Sequence, residues 1–399
     1  MTNPFASPAK IHLSRLLCRL LAVTVAMALI VAACGDDDDA EANSGSATAA
    51  SSSASEPAEP AAEAEPAEEA EDAEPTPTSV PDPEEPEPAS TEDEQPAASA
   101  TIAVDTQWGV VEVPAEAQSV VAVDEYSALS LLSVGVTPRA AVKTFQAAIP
   151  GSIIDETGIE TIDGAFGEYN YEIIAGWQPD LIVMVGGPET EPVWPLMSEI
   201  APTVVLPFPA PWEDVLELTG QLTGREGVAA ALAAGITEQV TEIAAAHGDA
   251  APTLGVLANG PAFGVLTLGQ GGPISAIIQD AGFSRPAPEL EPATFGQSII
   301  ISEELLPEHD ADVVVVLGGN EQFFSAELLT SLPTYASLAA VQDGRATEVS
   351  GDVWTAFDAF SIYWVVQDLA AIQAGSLDEV ITADDASEVW AAFLALAGG

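Results

Sequence analysis

Within the stretch Arg225–His247, apolar residues fall at Val228, Leu232, Ile236, Val240 and Ile243, at steps of four and three that align them along one side of an α-helix. Gly248 supplies a stop signal. A helix of that length runs roughly 35 Å, about the width of a small domain, and can join two bodies. The segments on either side of it repeat one pattern. Residues 172–187 (EIIAGWQPDLIVMVGG) and 304–319 (ELLPEHDADVVVVLGG) each start at a glutamate and reach an aspartate eight positions later, then five apolar residues and Gly-Gly. Each reads as a short helix feeding a buried parallel strand, and two spacings that agree at once point to an internal duplication.

The same alternation runs through the rest of residues 101–399. In a first lobe, 101–211, the pattern predicts strands near 120–123, 140–143, 181–185 and 203–206, with helices near 127–134, 171–176 and 193–200. Connecting helices occupy 212–248. In a second lobe, 249–399, strands near 254–258, 265–268, 313–317 and 347–349 alternate with helices near 274–280, 303–307 and 328–340, and helices near 360–373 and 387–397 close the chain. The expected class is α/β: two lobes, each a mainly parallel sheet with flanking helices, joined by one long connecting helix.

The pattern changes ahead of the lobes. Residues 1–34 carry Lys10, Arg15 and Arg19 and no acid, then an apolar run from Leu20 to Ala33 too short for a comfortable membrane span. This reads as a secretory signal. It ends in Val31-Ala32-Ala33-Cys34, which resembles the lipobox of bacterial lipoproteins; the resemblance implies a lipid-modified Cys34 as the mature N-terminus. The only other cysteine, Cys18, lies within the signal, so the lobes hold no thiol for disulfides, thiolate metal sites or nucleophilic chemistry. Residues 35–100 contain 21 of the 63 acids and no base, amid Ala, Pro, Ser and Thr. A segment of this kind cannot bury enough apolar surface to offset its ordering entropy, and reads as a disordered, extended tether. The remaining 42 acids face five bases in the lobes: Arg139, Lys143, Arg225, Arg285 and Arg345. Such acidity argues against nucleic acid and against docking on anionic lipid, leaving the lipid on Cys34 as the membrane contact. It also fits a saline habitat, where salt screens the self-repulsion.

Motifs for catalysis are missing from the sequence: it has no His-Glu-x-x-His, no Gly-x-Ser-x-Gly and no Walker phosphate loop. Gly269–Gly272 lacks the full dinucleotide fingerprint and reads as a turn before a helix. His247 and His309 are far apart at helix ends and are expected to face solvent, which disfavours a resident metal site. No cofactor and no enzymatic activity are expected. Open α/β sheets bind ligands beyond the carboxyl ends of their strands. Tyr126, Phe145, Phe208, Phe263 and Trp354 follow predicted strands and are candidate ligand contacts, joined by Lys143 at the end of its strand. Arg139 and Arg345 precede their strands and belong to the opposite edge.

Six stretches together resemble a known family. They are residues 105–114 (DTQWGVVEVP), 120–124 (VVAVD), 170–173 (NYEI), 179–182 (PDLI), 301–304 (ISEE) and 311–313 (ADV). In this order and spacing they are similar to the iron-siderophore and cobalamin family of ABC-transporter substrate-binding proteins. The resemblance implies two lobes joined by one long helix with ligand in the cleft, and an extracytoplasmic lipoprotein, monomeric, that captures a ferric siderophore complex for a permease and its ATPase. A cobalamin or haem receptor, or a surface lipoprotein with no transport role, are the alternatives. The family's permease-docking glutamates, one per lobe, match Glu172 and Glu304. Glu303 is the rival for the second position, and the equal spacing of the two halves favours Glu304. Relatives that bind anionic ferric complexes line the cleft with arginine, and the scarcity of bases here points to neutral or cationic complexes, with only Lys143 and Arg285 placed near the ligand.

Overall fold

A computed structural model describes residues 100–248 and 251–398, all within one compact unit, Ser90–Gly399. The signal segment, Cys34 and nearly all of the tether lie outside the described residues. An antiparallel hairpin comes first, β1 (Thr101–Thr106) with β2 (Gly109–Pro114). The first lobe then builds a sheet from β3 (Val120–Ala122), β4 (Ala140–Lys143), β5 (Glu160–Asp163), β6 (Leu181–Gly186) and β7 (Thr203–Pro207), in the order β5-β4-β3-β6-β7 and parallel throughout. Helices Trp212–Thr223 and Glu226–Ala246 follow, separated by Gly224 at φ 64°. The second lobe orders β8 (Leu254–Gly260), β9 (Gly264–Leu268), β10 (Ser298–Ile300), β11 (Val313–Gly318) and β12 (Ala346–Ser350) as β10-β9-β8-β11-β12.

This second sheet is parallel across β8, β11 and β12, whereas β9 runs antiparallel to both β8 and β10. Only Pro261, Ala262 and Phe263 separate β8 from β9. A parallel crossover needs a dozen residues or more, so the connection has to be a hairpin. The duplicated segments occupy equivalent places. β6 and β11 each pair with the first strand of their sheet, β3 or β8, on one side and a parallel edge strand on the other. The repeated aspartates do the same work: Asp180 accepts hydrogen bonds from the Gln118 and Ser119 N–H groups at 2.7 and 2.9 Å, and Asp312 from the Thr253 N–H at 2.8 Å. Each carboxylate thereby satisfies backbone donors just ahead of the neighbouring strand, β3 or β8.

Side chains alternate across both sheets, as a pleated strand requires. Val120, Ala122, Leu181, Val183 and Val185 of the first lobe share one apolar core with Leu254, Val256, Val315 and Leu317 of the second. Their neighbours Val121, Ile182 and Met184 face a separate core on the outer side of the first sheet, and Leu257, Val314 and Val316 do so on the second. Leu232, Ile236, Val240 and Ile243 of the connecting helix are buried in the shared core, with Val228 packed at its margin. This helix lies against Trp212–Thr223 and Ala359–Ala374. Helix Ala359–Ala374 also packs on helix Glu125–Ser133, and helix Ala386–Ala395 on Ala148–Thr157, so the closing helices cover the first lobe as well as the second.

Some elements carry too little pattern to be read from sequence, among them the hairpin, β5, β10 and helix Ala148–Thr157. The helix expected near 328–340 divides into Ala326–Thr330, Pro333–Ala336 and Ala339–Gln342, with Pro333 opening the second piece. His309 does not face solvent: it is 2 % exposed, with Nδ1 3.2 Å from Oε1 of buried Glu289. Among the described residues no helix is long and apolar enough to cross a membrane.

Ile236 is fully buried midway along the connecting helix. Replacing it with Ala leaves a void between the lobes and is expected to cost about 2–5 kcal/mol of unfolding stability, measured by urea denaturation. A loss under about 1 kcal/mol would show that the site collapses freely and that the shared core is not tightly packed.

Candidate functional site

The site begins where β3 meets helix Glu125–Ser133. Asp124 caps this helix, accepting the Ser127 N–H at 2.7 Å, while its other oxygen accepts the Val185 N–H of β6 at 2.8 Å. Glu125 is also buried and turns its carboxylate to the loop after β4. Its Oε2 accepts the Thr144 and Phe145 N–H groups at 2.8 and 3.0 Å, and its Oε1 the Ala147 N–H at 3.3 Å. Those bonds fix the backbone that carries Phe145. The Tyr126 ring then lies 5.2 Å from that of Phe145, which in turn lies 5.1 Å from that of Phe166.

The second lobe meets this wall directly. The Tyr126 hydroxyl donates to the Asp352 carbonyl at 2.8 Å. Asp352 Oδ1 accepts from Asn320 Nδ2 at 2.7 Å, and its Oδ2 accepts the Ala148 N–H of the first lobe at 2.7 Å. Helix Ala148–Thr157 has no cap from its own Ala147, so a carboxylate of the opposite lobe fills that role. Aromatic rings close over the junction, with Phe208 4.9 Å from Phe357. At Gly187 the Phe208 carbonyl passes 2.5 Å from where a Cβ would stand, so only glycine permits this approach.

Between the lobes these residues enclose a cavity of about 470 Å³. The first lobe contributes Tyr126, Phe145, Phe166 and Phe208; the second contributes Phe263, Phe295, Phe323, Phe324 and Phe357. The rings come in matched pairs, Phe145 with Phe166 on one side and Phe263 with Phe295 on the other, each 5.1 Å apart, and the outer ring of each pair is exposed, 38 % for Phe166 and 53 % for Phe295. Glu189 and Asp352 are the charged residues of the lining, and none of the five bases belongs to it. A cavity of this size with apolar walls and a few polar groups suits a small organic ligand.

Four of the six residues expected at the ligand, Tyr126, Phe145, Phe208 and Phe263, come together here. Trp354 does not. It is fully buried on helix Gly351–Trp354, with its Nε1 donating to Asp368 at 2.8 Å, because the chain turns into helix directly after β12 and carries the indole into the core. Lys143 is also absent from the lining, its Nζ drawn to Asp155 at 2.5 Å. Arg285 is buried and forked onto Glu289, with further bonds to Ser275 Oγ and the Leu268 carbonyl. Phe323 and Phe324 lie in the loop after β11 as Phe263 lies in the loop after β8, so the rule that pointed to Phe263 applied equally to them. Phe166 and Phe295 sit on irregular loops that carry no such signal.

Glu172 and Glu304 lie at the start of equivalent short helices. Both are exposed, Glu172 behind the cap Asn170 and Glu304 in the 3-10 helix Glu303–His309. Hydrogen bonds from its own backbone N–H and from Ser302 hold the Glu304 carboxyl below the usual range. Glu303 is exposed beside it.

Two parallel-rich sheets joined through a shared core, with a ligand-sized cavity between them, define a bilobed binding protein. Residues 120–351 match the Periplasmic binding protein family, and the chain belongs to it. It is 27 % identical over 259 residues, covering 61 % of this chain and 78 % of the relative, to the probable siderophore-binding lipoprotein YfiY of Bacillus subtilis. Among solved structures it is similar to the petrobactin-binding protein YclQ of Bacillus subtilis (TM-score 0.59, 17 % identity, 69 % of this chain and 99 % of that one). It is likewise similar to SirA of Staphylococcus aureus in complex with staphyloferrin B (TM-score 0.58, 23 % identity, 69 % and 99 %).

Burial pushes the Asp124 carboxyl up from 3.8 to about 7. The folded protein thus holds this proton more tightly than the unfolded chain, and stability from this group is complete below about pH 4 and lost as pH rises through about 7. Burial raises Asp358 to about 6 and Asp368 to about 7, with the same sign. The melting temperature is expected to fall between about pH 5 and pH 8, and to fall less steeply in Asp124→Asn, whatever that variant's absolute stability. Equal slopes in calorimetric scans would show that Asp124 does not titrate in this range.

Proposed function

We propose that this chain is the extracytoplasmic receptor of an ABC importer, binding a ferric siderophore complex without transforming it and passing it to a membrane permease. The observation that carries this reading is the cavity, walled by aromatic rings from both lobes of a periplasmic-binding-protein fold. The similarity to a siderophore-binding lipoprotein supports the cargo, and the Val31–Cys34 motif supports lipid anchoring at Cys34. Among the described residues no three His, Asp or Glu side chains stand close enough to hold a metal ion, which favours a chelate over a bare ion as the cargo.

Charge narrows the chelate. Ferric iron held by three monoanionic hydroxamates is neutral, whereas three dianionic catecholates leave a trianion. A cavity with two carboxylates and no base would force that trianion to shed its hydration with no positive charge to replace it. Titration followed by tryptophan fluorescence is expected to show ferric tris-hydroxamates binding at least about tenfold more tightly than ferric tris-catecholate. Tighter binding of the tris-catecholate would overturn the charge argument, and tighter binding of haemin or cobalamin than of any ferric chelate would redirect the cargo.

Glu172 and Glu304 are proposed as the docking pair for the permease. Both are exposed at equivalent points of the two lobes, and neither lines the cavity. Carboxylates so placed orient a partner's arginines and weaken with salt. The double variant Glu172→Gln, Glu304→Gln is expected to keep ligand affinity within about twofold while uptake in cells falls about tenfold. If Glu303→Gln abolishes uptake and Glu304→Gln does not, the second docking residue is Glu303.

A further inference from the structure

The cavity lining holds two carboxylates, and among the described residues only one of them keeps an oxygen that no protein group engages. Asp352 is 2 % exposed and committed on both oxygens, to Asn320 and to the Ala148 N–H. Glu189 differs. It sits on the single turn Pro188–Thr190 directly after β6, is exposed, and lines the cavity. Its Oε1 accepts the Gly187 N–H at 2.6 Å, which holds the side chain against the cleft, while among the described residues its Oε2 accepts no hydrogen bond. The duplicated half supplies an internal comparison: two residues past Gly319 stands Glu321, exposed like Glu189 but outside the cavity lining.

We propose that Glu189 is the recognition carboxylate for a protonated amine carried by the ligand. The inference rests on the chelate reading above and deepens it to a class: a neutral ferric hydroxamate core with a pendant ammonium. An ammonium donates three hydrogen bonds and accepts none, which suits a carboxylate at the cavity wall with one oxygen that no other group of the protein engages. The aromatic lining of the cavity favours the same sign, since aromatic faces attract cations and no lysine or arginine of the lining competes. The apolar remainder of the cavity takes the neutral core and its methylene chains.

Ferrioxamine B, a ferric trihydroxamate with one free ammonium, and its N-acetylated form, which lacks that charge, separate the two parts of the idea. In calorimetric titration of the whole protein at low salt, the free amine is expected to bind about fivefold more tightly than the acetylated form, with the difference shrinking as salt rises. Glu189→Gln keeps the hydrogen bond to Gly187 and is expected to erase that preference while leaving the acetylated complex within about twofold of wild type; Glu321→Gln is expected to change neither. Equal affinities of the two chelates for the wild type, or equal weakening of both by Glu189→Gln, would overturn the assignment while leaving hydroxamate binding standing. Failure of both chelates to bind would overturn the hydroxamate reading, and the assignment with it.

Discussion

The inner faces of the two sheets are not sealed separately; they drain into one apolar core. Everything else in the molecule follows from that constraint. A connecting helix with a stripe of Leu232, Ile236, Val240 and Ile243 has to lie where both sheets can reach it. Helix Ala359–Ala374 has to be buried over most of its surface, and it is, from Phe360 through Ile372. With the inner faces joined in this way, the carboxyl ends of strands from the two lobes confront each other across a gap. The cavity is what remains of that gap after the aromatic side chains have filled its edges.

Buried acids set the shape of the gap's walls. Asp124, Glu125 and Asp352 are all shielded from water, and none is paired with a base; each is compensated by backbone N–H donors. Backbone donors do not reorient as side chains can, so these carboxylates hold loops at fixed places. A domain with few bases builds such supports from peptide N–H groups and neutral side-chain donors such as Asn320 on Asp352 and Trp354 on Asp368. The one buried cation of the second lobe, Arg285, is spent on Glu289 behind the sheet, which leaves the cavity free of positive charge.

Much of this architecture was legible before the structure. Repeated spacings of glutamate, aspartate and Gly-Gly marked β6 and β11 as equivalent, and that equivalence extends to the hydrogen bonds of Asp180 and Asp312. The alternation of elements suggested a parallel sheet, and the antiparallel turn of β9 came with the structure, in which the strands expected near 254–258 and 265–268 extend toward each other until three residues separate them. Periodicity could not see β10 or β5, of three and four residues, whose pairing depends on neighbours distant in sequence. At the candidate site, the rule that ligands gather beyond strand ends pointed to Tyr126, Phe145, Phe208 and Phe263, all of which line the cavity. It failed for Trp354 and Lys143 because it locates a Cα and says nothing of where the side chain points. Phe166 and Phe295 reach the cavity from short irregular turns, Ala165–Glu168 and Phe295–Ser298, that carry no apolar periodicity.

The helix cap supplied by Asp352 has a consequence for how the chain acquires its structure. Helix Ala148–Thr157 forms early in the sequence, yet its amino end is satisfied by a residue some two hundred positions later, and its flank is covered by Ala386–Ala395, to which Ser387 adds a hydrogen bond at Glu156. The first lobe is therefore not a finished body when its own last strand is in place. It carries an uncapped helix and an uncovered apolar face until the C-terminal helices arrive, so the two halves, duplicated in pattern, are a single cooperative unit in assembly.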